Sequence, residues 1–236
     1  MKSRSALVAA CLVTLAATGA FAQTATSRQE SSGTSGAGAK RVRITYENLT
    51  TGQAFSPSVF MTHNSSAPPL FKMGEKASFG LMRIAEEGNA GPLLSAVVVK
   101  QIGGAFGTAV TAISALPGQT RSVDIAVDRD HPMLSGAFML VMTNDGFTGI
   151  NGVDVYDLRE AKTMNLMAYD AGTEKNNEKK AYLIAMMGTE RDPEEGVVSQ
   201  HKGMRGDADA PADWKFDPSK PVGRLTITPI MKEAQR

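Results

Sequence analysis

Large apolar residues in this chain recur at every second position, in short runs that turn residues interrupt. Val42, Ile44 and Tyr46 alternate with Arg43 and Thr45; Val123, Ile125 and Val127 form a second such run; and Leu225 and Ile227 near the carboxyl end are interleaved with Thr226 and Thr228. A repeat of two is that of a strand with one buried face. Gly, Pro, Asn and Asp punctuate the runs, as Pro117-Gly118 does before Val123. Strands do not alternate with helices of the length a parallel crossover needs. The expected fold is therefore all-β, an antiparallel β-sandwich with one or two short helices in the loops.

Other segments fill in this frame. Val59-Phe60-Met61-Thr62 reads as a strand between Pro57 and Pro68-Pro69. From Ser78 the spacing changes: Leu81, Ile84 and Ala85 fit one face of a helix that Gly88 ends. Leu93 to Val99 fits a helix or a buried strand equally. Gly103-Gly104-Ala105-Phe106-Gly107 reads as a loop. Phe138 to Met142 is apolar on both faces, as in a central strand. Val153 and Val155 mark a short strand, and Met164 to Tyr169 another that runs into Asp170.

The amino end has the plan of a secretory signal: Lys2 and Arg4, an uncharged apolar run from Ala6 to Ala17, and a small-x-small cleavage motif at Ala20-Phe21-Ala22. Met1–Ala22 is the expected signal peptide. Gln23–Lys40, rich in Ser, Thr, Gly and Ala, is an expected flexible leader. Arg41–Ile230 is the expected domain and Met231–Arg236 a tail. The apolar run is shorter than the roughly 18 residues a spanning helix needs, and no later run reaches that length, so no transmembrane segment is expected. Cys11 is the only cysteine and lies inside the apolar run, not after it. The mature chain is thus expected to lack disulfides, thiolate metal sites and a cysteine nucleophile. A net charge of +1 gives no support to nucleic-acid binding, which asks for a basic stripe.

Two acidic turns carry the chemistry. Thr143-Asn144-Asp145-Gly146-Phe147 and Tyr169-Asp170-Ala171-Gly172-Thr173-Glu174 each end an apolar run. If their strands share a sheet, Asp145, Asp170 and Glu174 converge on one hard cation. Calcium takes six to eight oxygens in irregular geometry, and Gly172 lets the backbone curl between Asp170 and Glu174. Three carboxylates held close repel, so at least one is expected to have a raised pKa in the absence of metal. Asn177 and Glu178 lie near enough in sequence to substitute. The plainer reading is a polar turn, since Asp and Gly are common turn residues.

These two turns, with Asn48-Leu49-Thr50 through Phe55-Ser56-Pro57 and Gly152-Val153-Asp154, resemble the spondin domain family, the module near the amino end of F-spondin and mindin. The resemblance covers roughly residues 41–230. It implies a β-sandwich, with calcium bound at one end by residues at positions 145, 170 and 174. Animal spondins carry disulfides and Asp-Ala-Gly-Thr-Asp at the second turn. This chain has Glu at 174 and looks more like bacterial members.

Other constellations argue against catalysis. His63, His131 and His201 are widely separated, lack zinc-motif spacing and are expected on the surface or in loops. No Gly-x-Ser-x-Gly elbow exists, and the glycine-rich stretch at 103–107 lacks the Lys-Ser or Lys-Thr of a phosphate loop. Met139 and Met142, like Met164 and Met167, are three apart, which puts them on opposite faces of a strand and points to core filling instead of copper binding. The acidic run from Asp207 to Asp217 around Trp214 reads as a solvated loop. The expectation is an exported, periplasmic or extracellular, non-catalytic binding or adhesion module with a Ca2+ site and a protein or glycan partner. The alternatives are an exported metal-dependent hydrolase using the same acidic cluster, or a structural envelope protein without metal.

Overall fold

The computed structural model describes residues 39–98, 102–206 and 208–231; the expected signal peptide and nearly all of the expected leader lie outside them. Among these residues, ten strands form two sheets in which every adjacent pair is antiparallel. β1 (Lys40–Asn48), β4 (Thr120–Val127), β7 (Lys162–Leu166) and β10 (Gly223–Ile230) make a sheet of order β4-β1-β10-β7. β2 (Val59–His63), β3 (Ala105–Val110), β5 (Met133–Met139), β6 (Gly146–Asp154), β8 (Tyr169–Asp170) and β9 (Ser199–Gln200) make the other, of order β3-β2-β5-β6-β8-β9.

The alternation in β1, β4 and β10 faces one core. Val42, Ile44 and Tyr46 pack with Val123, Ile125, Leu225 and Ile227 against Phe60, Leu134 and Phe138 of the second sheet. Tyr46 stacks on Phe138 with centroids 4.7 Å apart, and its hydroxyl shares a 3.1 Å hydrogen bond with Thr111 Oγ1. The outward-facing residues pair across the sheet, as Arg43 does with Asp124 through two hydrogen bonds.

The six-stranded sheet is covered on its other face too. α1 (Phe79–Glu87) and α2 (Gly91–Val98) place Leu81, Ile84, Ala85 and Leu93 over Val59, Met61, Ala137 and Phe147. Ser78 caps α1 by accepting from Leu81 N–H at 3.2 Å, and Gly88 ends it in the left-handed region. Burying Leu81 and Ile84 stabilises by roughly 1.5–3 kcal/mol each. The open choice at Leu93 resolves as helix, because the sheet face beneath it needs an apolar cover.

Five expectations shift. The loop expected at 103–107 becomes strand from Ala105, where Gly107 N–H donates to Thr62 Oγ1 at 3.0 Å and a register slip at Thr62/His63 absorbs the irregularity. The strand expected at Phe138–Met142 runs from Met133 to Met139, and the short strand expected at Val153 and Val155 is the far end of a nine-residue one, Gly146–Asp154, that stops before Val155. The Met164–Tyr169 run is two strands in different sheets: Leu166 pairs with Gly223, Tyr169 with Phe147. Met167 and Ala168 carry the chain across. Lastly, His63, expected on the surface or in a loop, is buried within β2, where Ser135 Oγ meets its Nε2 at 2.8 Å; His201 lies in a loop as expected but is buried, and its Nδ1 accepts from Gly203 N–H at 3.0 Å. Among the described residues, no helix is long and apolar enough to cross a membrane.

Candidate cation site

β5 and β6 are joined by a tight turn that presents Asp145. Leu140 N–H donates to Gly146 O at 2.8 Å, Thr143 Oγ1 donates to Leu140 O at 2.7 Å, and Gly146 N–H returns to Thr143 Oγ1 at 2.8 Å. Gly146 then pairs with Asp170 across the β6–β8 ladder, and Ala171 N–H donates to Asp145 O at 3.2 Å. The two acidic turns thus do meet at one end of the six-stranded sheet. A side chain at Gly146 would not fit: its Cβ would lie 2.4 Å from Thr143 Oγ1 and 3.0 Å from His201 Cδ2.

Asp145 is buried and its two oxygens differ. Oδ2 accepts from Thr173 N–H at 2.7 Å, Glu174 N–H at 3.0 Å and the Thr173 hydroxyl at 3.2 Å. Oδ1, equally shielded from solvent, has no hydrogen-bond partner among the described residues. Burial, then the charge of Asp170, pushes the Asp145 carboxyl up to about 7, against the opposing pull of the Glu174 and Thr173 donors. In this desolvated corner the like charge of Asp170 disfavours ionisation of Asp145.

Asp170 anchors its own loop. Oδ1 accepts from Gly172 N–H at 2.7 Å and Oδ2 from Asn176 Nδ2 at 2.5 Å. Gly172 has φ +68°, and a Cβ there would lie 2.6 Å from both Val197 N and Val197 O. Only glycine satisfies both demands. The loop is stitched to the next segment by Gly196 N–H to Gly172 O, Glu194 N–H to Thr173 O and Lys175 N–H to Asp192 O, each 2.9 Å, with Glu174 bridged to Pro193.

Glu174 contributes its backbone to Asp145 and its carboxylate elsewhere. Arg191 Nε donates to Glu174 Oε1 at 2.9 Å, while Arg191 Nη2 pairs with Glu86 on α1. Both carboxylate side chains are fully buried. The residues that sequence suggested as substitutes are also engaged. Glu178 accepts from Arg205 N–H at 2.5 Å and Gly206 N–H at 2.6 Å, and Asn177 Nδ2 donates to Asp192 at 3.0 Å. Among the described residues, no group of three or more His, Cys, Asp or Glu side chains is disposed to hold a metal ion.

His201 was not anticipated here. Its ring lies against Gly146, its Nε2 has no hydrogen-bond partner among the described residues, and burial lowers its pKa against the opposing charges of Asp170 and Glu178. Arg191 and Glu86 were likewise missed. Nothing local in the sequence marks either.

The donor set suits a hard cation in part. The buried oxygen of Asp145 left without a donor, beside a second carboxylate, offers charge and coordination that the protein's own groups do not meet. Glu174, already matched to a guanidinium, is not turned to that point.

The Spondin_N family profile matches residues 45–191, which contain Asp145, Asp170, Glu174 and Arg191 but not His201. Spondin-2 of Homo sapiens is 32% identical over 119 residues, covering 47% of this chain. The match spans 35% of that relative, about a third of its length.

Proposed function

The chain belongs to the Spondin_N family, and from that premise we propose that it is an exported, non-catalytic binding module whose strand-end loops are braced by calcium. The observation that carries this reading is the Asp145 carboxylate: buried, lacking a donor at Oδ1, and facing the charge of Asp170. Asp145 and Asp170 would supply side-chain oxygens. Calcium would supply the positive charge that these two carboxylates lack.

The chain's own residues do the rest. Thr173 and Glu174 N–H groups fix one oxygen of Asp145, so the other has a defined direction. Gly172 and Asn176 hold the Asp170 carboxylate, and Gly146 lets Thr143 and His201 close in beside the turn. The loops so braced form one tip of the sandwich. That tip is the surface we assign to a protein or glycan partner. The near-neutral charge supports neither nucleic acid nor an anionic membrane as that partner.

Thermal melting with and without calcium tests the reading. Extracellular calcium modules bind in the range of about 0.1–1 mM. A tenfold to hundredfold excess over Kd then stabilises by roughly 1.4–2.7 kcal/mol, or about 3–10 °C for a chain of this size. Asp170→Ala should abolish the shift. A melting temperature indifferent to millimolar calcium would favour a fold whose acidic turns bind nothing.

A further inference from the structure

We propose that the loop at 180–190 is a docking element for a protein partner, and that it receives a basic side chain, arginine or lysine, from that partner. The inference names a partner class for the binding module read above and rests on that reading, but not on calcium. Among the described residues, two that are not glycine have a positive φ, Glu178 at 54° and Met187 at 60°. That conformation is unfavourable for a residue with a Cβ. At Glu178 it is offset: the buried carboxylate accepts from Arg205 N–H at 2.5 Å and Gly206 N–H at 2.6 Å. Met187 follows the short helical turn Ile184–Met186, at the position where glycine would close such a turn without strain. Its side chain is 73% exposed. A strained backbone and an exposed apolar side chain at one residue, with so little of it buried, mark a contact kept for another molecule.

Met187 borders a cleft of about 400 Å3, lined also by Met186 and by three charged residues, Lys180, Glu190 and Asp209. Two carboxylates against one ammonium make this lining acidic. The cleft is held in shape by the loop's own backbone. Glu190 N–H donates to Ala181 O at 3.0 Å, Gly188 N–H donates to Leu183 O at 2.9 Å, and Asp209 Oδ2 accepts from Lys180 N–H at 2.8 Å. A Cβ at Gly188 would lie 2.4 Å from Lys180 O, so the limbs of the loop close on a glycine. Methionine adapts its shape to what it meets, and a long basic side chain can lay its methylenes on Met186 and Met187 while its charge faces Glu190 and Asp209. An acidic side chain would meet like charge there, and an aliphatic one would leave both carboxylates unanswered. The loop adjoins the acidic turns. Asp209 N–H and Ala210 N–H donate to Glu178 O at 3.2 Å, and Asn144 Nδ2 of the first turn lies 3.5 Å from Asn177 Oδ1.

Methyl NMR of the folded, methionine-labelled protein tests this. The probes are blocked tripeptides with arginine, lysine, leucine or glutamate between two alanines, titrated in the presence of a chelator. The Met186 and Met187 methyl signals are expected to move saturably with the arginine and lysine probes and to stay put with the other two. Glu190→Gln combined with Asp209→Asn should weaken the arginine probe about fivefold, the scale of exposed charge pairs. Met187→Gly should weaken it as well, while leaving the melting temperature at or above that of wild type, because glycine accepts the positive φ. A methionine kept for folding would lose stability on that change. The proposal is overturned if no probe moves these methyls, if the leucine or glutamate probe binds as tightly as the arginine probe, or if Met187→Gly lowers the melting temperature. Failure of the cation reading looks different: the arginine probe would still bind in chelator, and calcium would leave the melting temperature unmoved. A calcium-dependent melting shift with silent methyls would sink the docking loop alone.

Discussion

Replacing Asp145 with Asn should make the calcium-free protein more stable at neutral and alkaline pH, an unusual outcome for a fully buried, hydrogen-bonded residue. Asn keeps the shape and an oxygen to accept from Thr173 and Glu174, and it turns an amide toward Asp170 in place of a like charge. The magnitude follows from the carboxyl group, whose pKa rises from 3.8 to about 7 on folding. A raised acid pKa contributes stability that is complete below the unfolded value and is lost as pH rises through the folded one. At 1.36 kcal/mol per unit, the raised pKa of Asp145 costs the folded state about 4 kcal/mol near pH 8, where it is ionised, and about 2 kcal/mol near pH 5, where it stays protonated. The gap between Asp145→Asn and wild type should therefore widen by about 2–3 kcal/mol across that window, or about 5–10 °C in melting temperature. His201 runs the other way as pH falls. Its electrostatic partners are Asp170 and Glu178, so it affects both proteins alike and cancels in the comparison. Urea unfolding in a chelator at several pH values measures the gap. A variant whose stability tracks wild type in parallel from pH 5 to 8, or falls below it at pH 8, would show that Asp145 carries no such electrostatic load. Added calcium should reverse the order by stabilising only wild type.

Two more outcomes follow from single residues. Gly172→Ala combines an unfavourable positive φ with a Cβ 2.6 Å from the Val197 backbone; it should cost on the order of 1–3 kcal/mol in denaturant unfolding and weaken the calcium-dependent shift. His201 is buried with its pKa lowered by desolvation, so the stability it supports is complete above the unfolded value of about 6.5 and is lost as pH falls; His201→Gln should flatten the acid limb of the stability–pH curve, and an unchanged limb would show that His201 does not drive it.

The parts of this fold that could be read from sequence are those with one wet face. β1, β4 and β10 alternate because their outer residues meet solvent and their inner ones meet the core. β2 and β5 lie between the opposite sheet and the helices, so both faces are apolar and the period vanishes. That is why the limits of β5 and β6 were displaced, and why a run that looked continuous at Met164–Tyr169 concealed a change of sheet. At the site, Asp145 and Asp170 were legible because each ends an apolar run, and register then aligns Gly146 with Asp170. The partnership of Glu174, Arg191 and Glu86 was not. It joins a loop, the segment after it and a helix, and ion pairs between remote positions leave no periodic trace. Buried His201 was hidden for a similar reason: it stands in a polar stretch, and the fold supplies its cover.

One consequence follows from the brevity of β8. It exchanges ladder bonds with β6 over two residues and with β9 over two more, whereas β1 is zipped along eight positions to β10. The far border of the larger sheet is therefore fastened by its loops and only lightly by its ladder. That border can breathe while β3, β2, β5 and β6 stay sealed between the other sheet and the helices. Amide hydrogens around 169–170 and 199–200 are therefore expected to exchange ahead of those in β1 and β10, as in a hinged rim on a stiffer body.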